Sequence, residues 1–147
     1  MSDKKLGIGF IGSGFIAKFH LQSFVSVRDA DVLGVWSPNH DNASETAQLA
    51  RTLNVGNAHA YDSIAAMVAD PAIDAIWLLG PNFARIENVQ EIVDAIRSGK
   101  GTLKAIACEK PLARNVAEAA RVLELVESVG LMHGYLENQV FATQIDR

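Results

Sequence analysis

Short apolar runs alternate with longer amphipathic stretches along the whole of this chain, and no other property narrows its fold so far. A brief run that is apolar on both faces suits a strand covered on both sides, and parallel strands need helical crossovers between them. The order strand, helix, strand therefore predicts βαβ units and a parallel sheet. Strands are expected at Leu6 to Ile11, Asp31 to Ser37, Ala58 to Tyr61, Ile73 to Leu79, Leu103 to Cys108 and Leu131 to Leu136, the third being the weakest. Ala75-Ile76-Trp77-Leu78-Leu79 is the clearest central strand. Helices are expected at Phe15 to Val27, Asn42 to Leu53, Ile64 to Val68, Ala84 to Arg97 and Val116 to Val129. Asp62 or Ser63 can cap the third, Asn115 with Glu118 resembles a capping box, and Gly99 and Gly130 stand where left-handed C-caps belong. The fold class that follows is α/β, a doubly wound parallel sheet of about six strands with helices on both faces.

A chain of 147 residues suits one such domain, with enough apolar residues (49%) to bury a core without cross-links. The single cysteine, Cys108, excludes an internal disulfide, and four histidines without a second cysteine give no zinc spacing, so no metal site is expected. A formal net charge of −4 with dispersed Lys and Arg argues against a nucleic-acid surface. Lysines precede apolar residues at Met1 to Lys5, as in a signal peptide, but Gly7, Gly9 and Gly12 break the apolar run that follows, which reads as a strand. No run approaches the roughly 20 apolar residues that span a bilayer. A cytoplasmic protein with no membrane partner is the expectation.

Gly12-Ser13-Gly14-Phe15-Ile16-Ala17 reads G-x-G-x-x-A, directly after the first strand and opening the first helix. In a dinucleotide-binding turn the first glycine permits the tight reversal, the second lets a pyrophosphate approach the backbone, and a small third residue allows close packing of helix on strand. The diphosphate then lies on the helix N-terminus, where free N–H groups and the dipole favour negative charge. A glycine-rich turn of some other α/β protein is the bland alternative, and the context of strand and helix decides against it. A Rossmann-like domain is therefore expected.

The companion feature is an acidic residue at the end of the second strand, bonding the adenosine ribose. That place holds Ser37-Pro38-Asn39-His40. With no carboxylate to repel a 2′-phosphate, Ser37, Asn39 and His40 favour tolerance of NADP beside NAD, unless Asp41 or backbone groups make the ribose contact. Leu79-Gly80-Pro81-Asn82 ends the fourth strand and Glu109-Lys110-Pro111 the fifth, both at the carboxyl ends where ligands collect. Taken singly, Glu109-Lys110 reads as a solvated ion pair in a loop. His20, His59 and His133 read as packing or surface histidines, Trp36 and Trp77 as core, and Cys108 as an inert buried thiol.

The set of segments Gly9-Phe10-Ile11-Gly12-Ser13-Gly14-Phe15-Ile16-Ala17, Gly80-Pro81-Asn82 and Cys108-Glu109-Lys110-Pro111-Leu112 closely resembles the Gfo/Idh/MocA oxidoreductase family over nearly the whole chain. The resemblance implies hydride transfer between NAD or NADP and a hydroxyl-bearing carbon of a sugar, cyclitol or related polyol. It implies that Lys110 is the active-site lysine touching the nicotinamide region and the substrate hydroxyl. Gly80, Pro81 and Asn82 would line the dinucleotide, and Glu137-Asn138 would stand at the mouth of the site. Motif and resemblance together nominate for the cofactor Gly12, Ser13, Gly14, Phe15, Ile16, Ser37, Asn39, His40, Leu79, Gly80, Pro81, Asn82, Glu109, Lys110 and Asn138.

Three departures accompany it. Arg85 stands where the family usually has a histidine, and eight residues separate Lys100 from Glu109, a longer turn than usual. Family members also continue into a second α/β domain that supplies the catalytic histidine. The expectation is a dinucleotide-binding domain at residues 1–136, with 137–147 beginning the connection to a missing C-terminal substrate domain. Alone it would lack activity, and a homo-oligomer is possible. The competing reading is a non-catalytic nucleotide-binding or protein-interaction module.

Overall fold

Burial of Gly7 through Ile11 on both faces makes β1 (Leu6–Ile11) a central strand, and the rest of the sheet is laid out from it. The computed structural model describes residues 4–138. After β1 come α1 (Phe15–Phe24), β2 (Ala30–Trp36), α2 (His40–Thr52), β3 (His59–Ala60), α3 (Ile64–Ala69), β4 (Ala75–Leu78), a 3₁₀ turn (Asn82–Ala84), α4 (Arg85–Arg97), β5 (Ala105–Glu109), α5 (Val116–Glu127) and β6 (Met132–Leu136). The order across the sheet is β3-β2-β1-β4-β5-β6, and every pairing is parallel. The strand order reverses between β1 and β4, so a crevice opens at their carboxyl ends.

The two faces carry separate cores. On one, Ala17, Leu21 and Phe24 of α1 and Ala43, Ala47 and Ala50 of α2 cover Ile8, Phe10, Val32 and Val35. On the other, Ile64 and Met67 of α3, Val89 and Ile92 of α4 and Val122 and Leu125 of α5 cover Ile76, Leu78, Ile106 and Cys108. The doubly wound α/β sheet expected from the sequence is the observed one, a Rossmann-like fold.

Capping fixes where helices begin. Ser63, not Asp62, caps α3 by accepting the Ala66 N–H at 3.0 Å. Asn115 caps α5 through the Glu118 N–H at 3.0 Å, while the Glu118 carboxylate accepts from the Arg114 amide and guanidinium instead of returning to Asn115. Asn39 accepts from the Asn42 N–H, so α2 starts two residues earlier than expected. The first helix ends at Phe24 and not Val27, because Ser26 and Val27 bond three residues back and tighten the last turn. The fourth strand is shorter than Ile73 to Leu79, although Asp74 and Leu79 donate to Gly7 and Ile11 of β1 on either side of it. The fifth starts at Ala105 and runs on through Glu109. Trp36 and Trp77 are half-buried rather than core: Trp36 borders a cleft and Trp77 stacks on Phe10 with ring centroids 5.7 Å apart. Of the expected interdomain connection at 137–147, residues 139–147 lie outside the described ones.

Candidate dinucleotide site

The turn from β1 into α1 contains two glycines with different causes. Gly12 has φ +123°, and a Cβ there would stand 2.7 Å from the Gly80 nitrogen, so the close approach of the β1 and β4 ends demands glycine. Its N–H donates to the Trp36 carbonyl at 2.8 Å, drawing in the end of β2. Gly14, at φ −78°, lies in a region any residue adopts, and a Cβ there would meet nothing within 4 Å. The fold makes no demand for glycine at that position. Gly14 is also the N-cap of α1, with no side-chain cap and no acidic residue in the first turn. The turn is held from below by buried Thr46, whose hydroxyl donates to the Ser13 carbonyl at 3.3 Å.

Two clefts flank this turn. The first, about 270 Å³, lies between the loops after β1, β2 and β4, and its lining includes Gly12, Ser13, Gly14, Ser37, Gly80 and Pro81, with Leu79 behind them. The second, about 280 Å³, lies on the β5–β6 side, bordered by Ile16, His20, Glu109, Lys110, Tyr135 and Asn138. Phe15, Asn39, His40 and Asn82 line neither cleft. Phe15 is 78% exposed beside the turn. Asn39 is committed to capping α2, His40 contacts Ser44 and stands 3.4 Å from an Asp62 oxygen, and Asn82 donates to the Ala113 carbonyl at 3.5 Å. Ser37 is thus the adenosine-end candidate that faces the first cleft.

The second cleft contains contacts that sequence spacing does not show. His20 Nε2 lies 2.8 Å from Glu109 Oε1, and the imidazole stands edge-on to Trp77 with centroids 5.2 Å apart. His20, expected from the sequence to be a packing or surface histidine, has a carboxylate partner 89 residues away in the chain. Glu109 Oε2 accepts the Lys110 N–H at 2.9 Å, while the Lys110 side chain is exposed and the Lys110-Pro111 peptide is cis. The isolated Glu-Lys ion pair is likewise replaced: the carboxylate serves His20 and a backbone amide.

Arg85, the departure noted above, is 2% exposed, and its guanidinium donates to the Glu109 carbonyl at 2.6 Å and the Gly80 carbonyl at 2.9 Å. Cys108 sits beside it. Burial pushes that thiol up, against a smaller opposing influence of Arg85, so it stays a protonated hydrophobe. Among the described residues no cluster of His, Cys, Asp and Glu is arranged to hold a metal ion, and no helix is long and apolar enough to cross a membrane.

The arrangement suits a long anionic ligand. Its diphosphate would rest on the uncapped α1 N-terminus against Gly14, one arm reaching Ser37 and the other running between Gly80 and Lys110.

Comparison with known proteins identifies the family. The chain is 32% identical over 120 residues to inositol 2-dehydrogenase of Gluconacetobacter diazotrophicus, covering 81% of this chain and 32% of that protein. It is 27% identical over 122 residues to the NADP(+) scyllo-inositol 2-dehydrogenase of Bacillus subtilis, covering 83% and 34%. The structure of myo-inositol dehydrogenase from Lactobacillus casei, in complex with NAD(H) and myo-inositol, superposes with TM-score 0.78 at 24% identity, covering 97% of this chain and 39% of that one, which shows the shared fold. The chain spans about a third of the length of the curated relatives it matches. The model for the oxidoreductase family with an NAD-binding Rossmann fold matches residues 6–135, and the chain therefore belongs to the Gfo/Idh/MocA oxidoreductases.

Proposed function

We propose that this chain holds NAD or NADP across the carboxyl ends of β1, β2 and β4, and that the protein it serves transfers a hydride to or from a hydroxyl-bearing carbon of a sugar, cyclitol or related polyol. Gly14 is the observation that carries the reading. A glycine that neither backbone geometry nor packing requires, at the uncapped start of α1 and facing a cleft, is explained by a ligand that must approach the backbone there. The nicotinamide group supplies the hydride-carrying carbon when bound. The chain's own part is positioning: α1 amides on the diphosphate, Gly80 and Pro81 along the chain of the ligand, and Lys110 at the far end. Lys110 is exposed at the second cleft and can donate a hydrogen bond to a substrate oxygen. The inositol dehydrogenases among the relatives favour a cyclic polyol as substrate class.

The test is Gly14→Val. A Cβ there meets nothing within 4 Å, so the variant should fold, its melting temperature lowered only by the poorer helix N-cap that valine makes. Affinity for NAD(H) and NADP(H) by titration calorimetry should fall by about tenfold or more, roughly 1.4 kcal/mol. A folded variant that binds either dinucleotide as well as wild type overturns the assignment of the turn.

A further inference from the structure

Arg85 poses an energetic question that the dinucleotide reading leaves open. A guanidinium only 2% exposed has lost its hydration, and among the described residues no carboxylate lies within ion-pair distance of it. Buried charge without a counterion is expensive, and this one opens α4, where the helix dipole disfavours a cation. What the side chain gains is two carbonyl acceptors, and their positions explain its presence. Gly80 O belongs to the loop after β4 and borders the first cleft; Glu109 O ends β5 and borders the second. Both loops leave the sheet side by side, since Leu78 pairs with Cys108 in the last rung of the β4–β5 ladder. A planar fork that spans two acceptors can fix the separation of two loops, which a single-point donor cannot do.

We propose that Arg85 is a positioning residue that locks the Gly80-Pro81-Asn82 and Glu109-Lys110 loops into one rigid wall for the nicotinamide half of the dinucleotide. The inference rests on the dinucleotide reading and extends it to a residue that touches no ligand itself. The same wall is braced from the α1 side, where His20 holds the Glu109 carboxylate whose second oxygen binds the Lys110 amide. Glu109 is thus held at its carbonyl by α4 and at its carboxylate by α1. The diphosphate and adenosine half would lie on the β1–α1 turn, which contains Gly12 and Gly14 and whose Ser13 carbonyl is held by Thr46. Loss of the clamp should therefore act on one end of the ligand.

That asymmetry is the test. NADH and ADP, which shares the adenosine and diphosphate but lacks the nicotinamide riboside, are titrated into wild type, Arg85→Gln and Arg85→Lys. Arg85→Lys keeps the charge and the aliphatic stem and so protects the experiment if the glutamine variant does not fold. The expected result is a loss of about fivefold or more in NADH affinity with ADP affinity changed by less than about twofold, in every variant that folds. Amide exchange should quicken across residues 80–84 and 109–113 and stay unchanged across residues 12–17. Folded variants that bind NADH as wild type does, or that lose NADH and ADP equally, overturn the positioning role. A wild-type chain that binds neither probe overturns the dinucleotide reading, and this inference with it.

Discussion

Gly12 and Gly14 belong to one motif, yet the structure requires glycine at only one of them. At Gly12 the positive φ and the 2.7 Å approach of a Cβ to Gly80 combine, so Gly12→Ala should destabilise the fold by about 1–3 kcal/mol, read by urea denaturation, whereas Gly14→Ala should cost only the difference between a glycine and an alanine N-cap, under about 1 kcal/mol. An alanine at position 12 as stable as wild type would mean the turn relaxes freely. Ser37 carries a second prediction. It faces the first cleft with no carboxylate in its segment, so Ser37→Asp should lower the NADP(H) to NAD(H) affinity ratio by about tenfold by repelling a 2′-phosphate. A wild-type chain that already prefers NAD(H) by about a hundredfold removes the basis for NADP tolerance. These residues were legible in the sequence because a motif fixes them by local spacing. His20 and Arg85 were not, because their partners are 89 and 24 residues away and only the folding of β5 beside β4 and α1 brings them together. The one available hint was that Arg85 breaks the expected family pattern.

Strand and helix identities were readable for the same local reason, and the discrepancies lie at ends set by tertiary bonds. β3 is two residues long and paired to Gly34 and Val35 alone, which explains its weak signal. The start of β4 shows how a terminus is decided elsewhere. Asp74, just before it, accepts the Gly7 N–H at 2.9 Å and the Lys104 ammonium at 2.6 Å, while its backbone bonds Gly7 and Lys104 as well. One nearly buried carboxylate thus fastens the amino ends of β1, β4 and β5 together. The Gly7 amide first, and the Lys104 hydrogen bond second, hold its carboxyl below the ordinary value of 3.8. A folded pKa below the unfolded one means that the unfolded chain binds more protons between the two values. The stabilisation is complete above the ordinary carboxylate range and is lost as pH falls through the lowered value. Asp74→Ala leaves the Gly7 N–H without an acceptor and should cost about 1–3 kcal/mol at neutral pH. The difference in stability between wild type and variant, measured by denaturation from pH 7 downward, should shrink below about pH 4. A difference that stays constant into strong acid would show that the ion pair and the charged acceptor contribute nothing.

At the scale of the whole molecule, the sheet is covered unevenly. On the α3–α4–α5 face the core continues from Ile76 across to Ile106, Cys108 and Val126. On the α1–α2 face the helices lie over β1 and β2. Beyond α1, Trp77, Ala105 and Ala107 are only half-buried, and Met132 on the edge strand is 74% exposed. This is the side that bears His20, Glu109 and Lys110, and among the described residues the second cleft is bordered by α1 and by the ends of β5 and β6. Hydride transfer requires donor and acceptor carbons held within about 3–3.5 Å and a base placed for the hydroxyl proton. Lys110 is exposed, and a lysine ammonium has three N–H donors and no acceptor, so it can bond a substrate oxygen but takes no proton from it. His20 Nε2 is engaged by the Glu109 carboxylate at 2.8 Å. The last prediction is therefore that the 147-residue chain binds dinucleotide yet turns over no polyol, and that the apolar strip left partly exposed among the described residues makes it self-associate at high concentration. Reduction of NAD and NADP is followed with a panel of sugars and inositols, beside a Lys110→Ala control, and sedimentation is run across a concentration series. Turnover at ordinary enzymatic rates, about 1 per second or faster, that vanishes in the control would show that these residues already assemble a complete site.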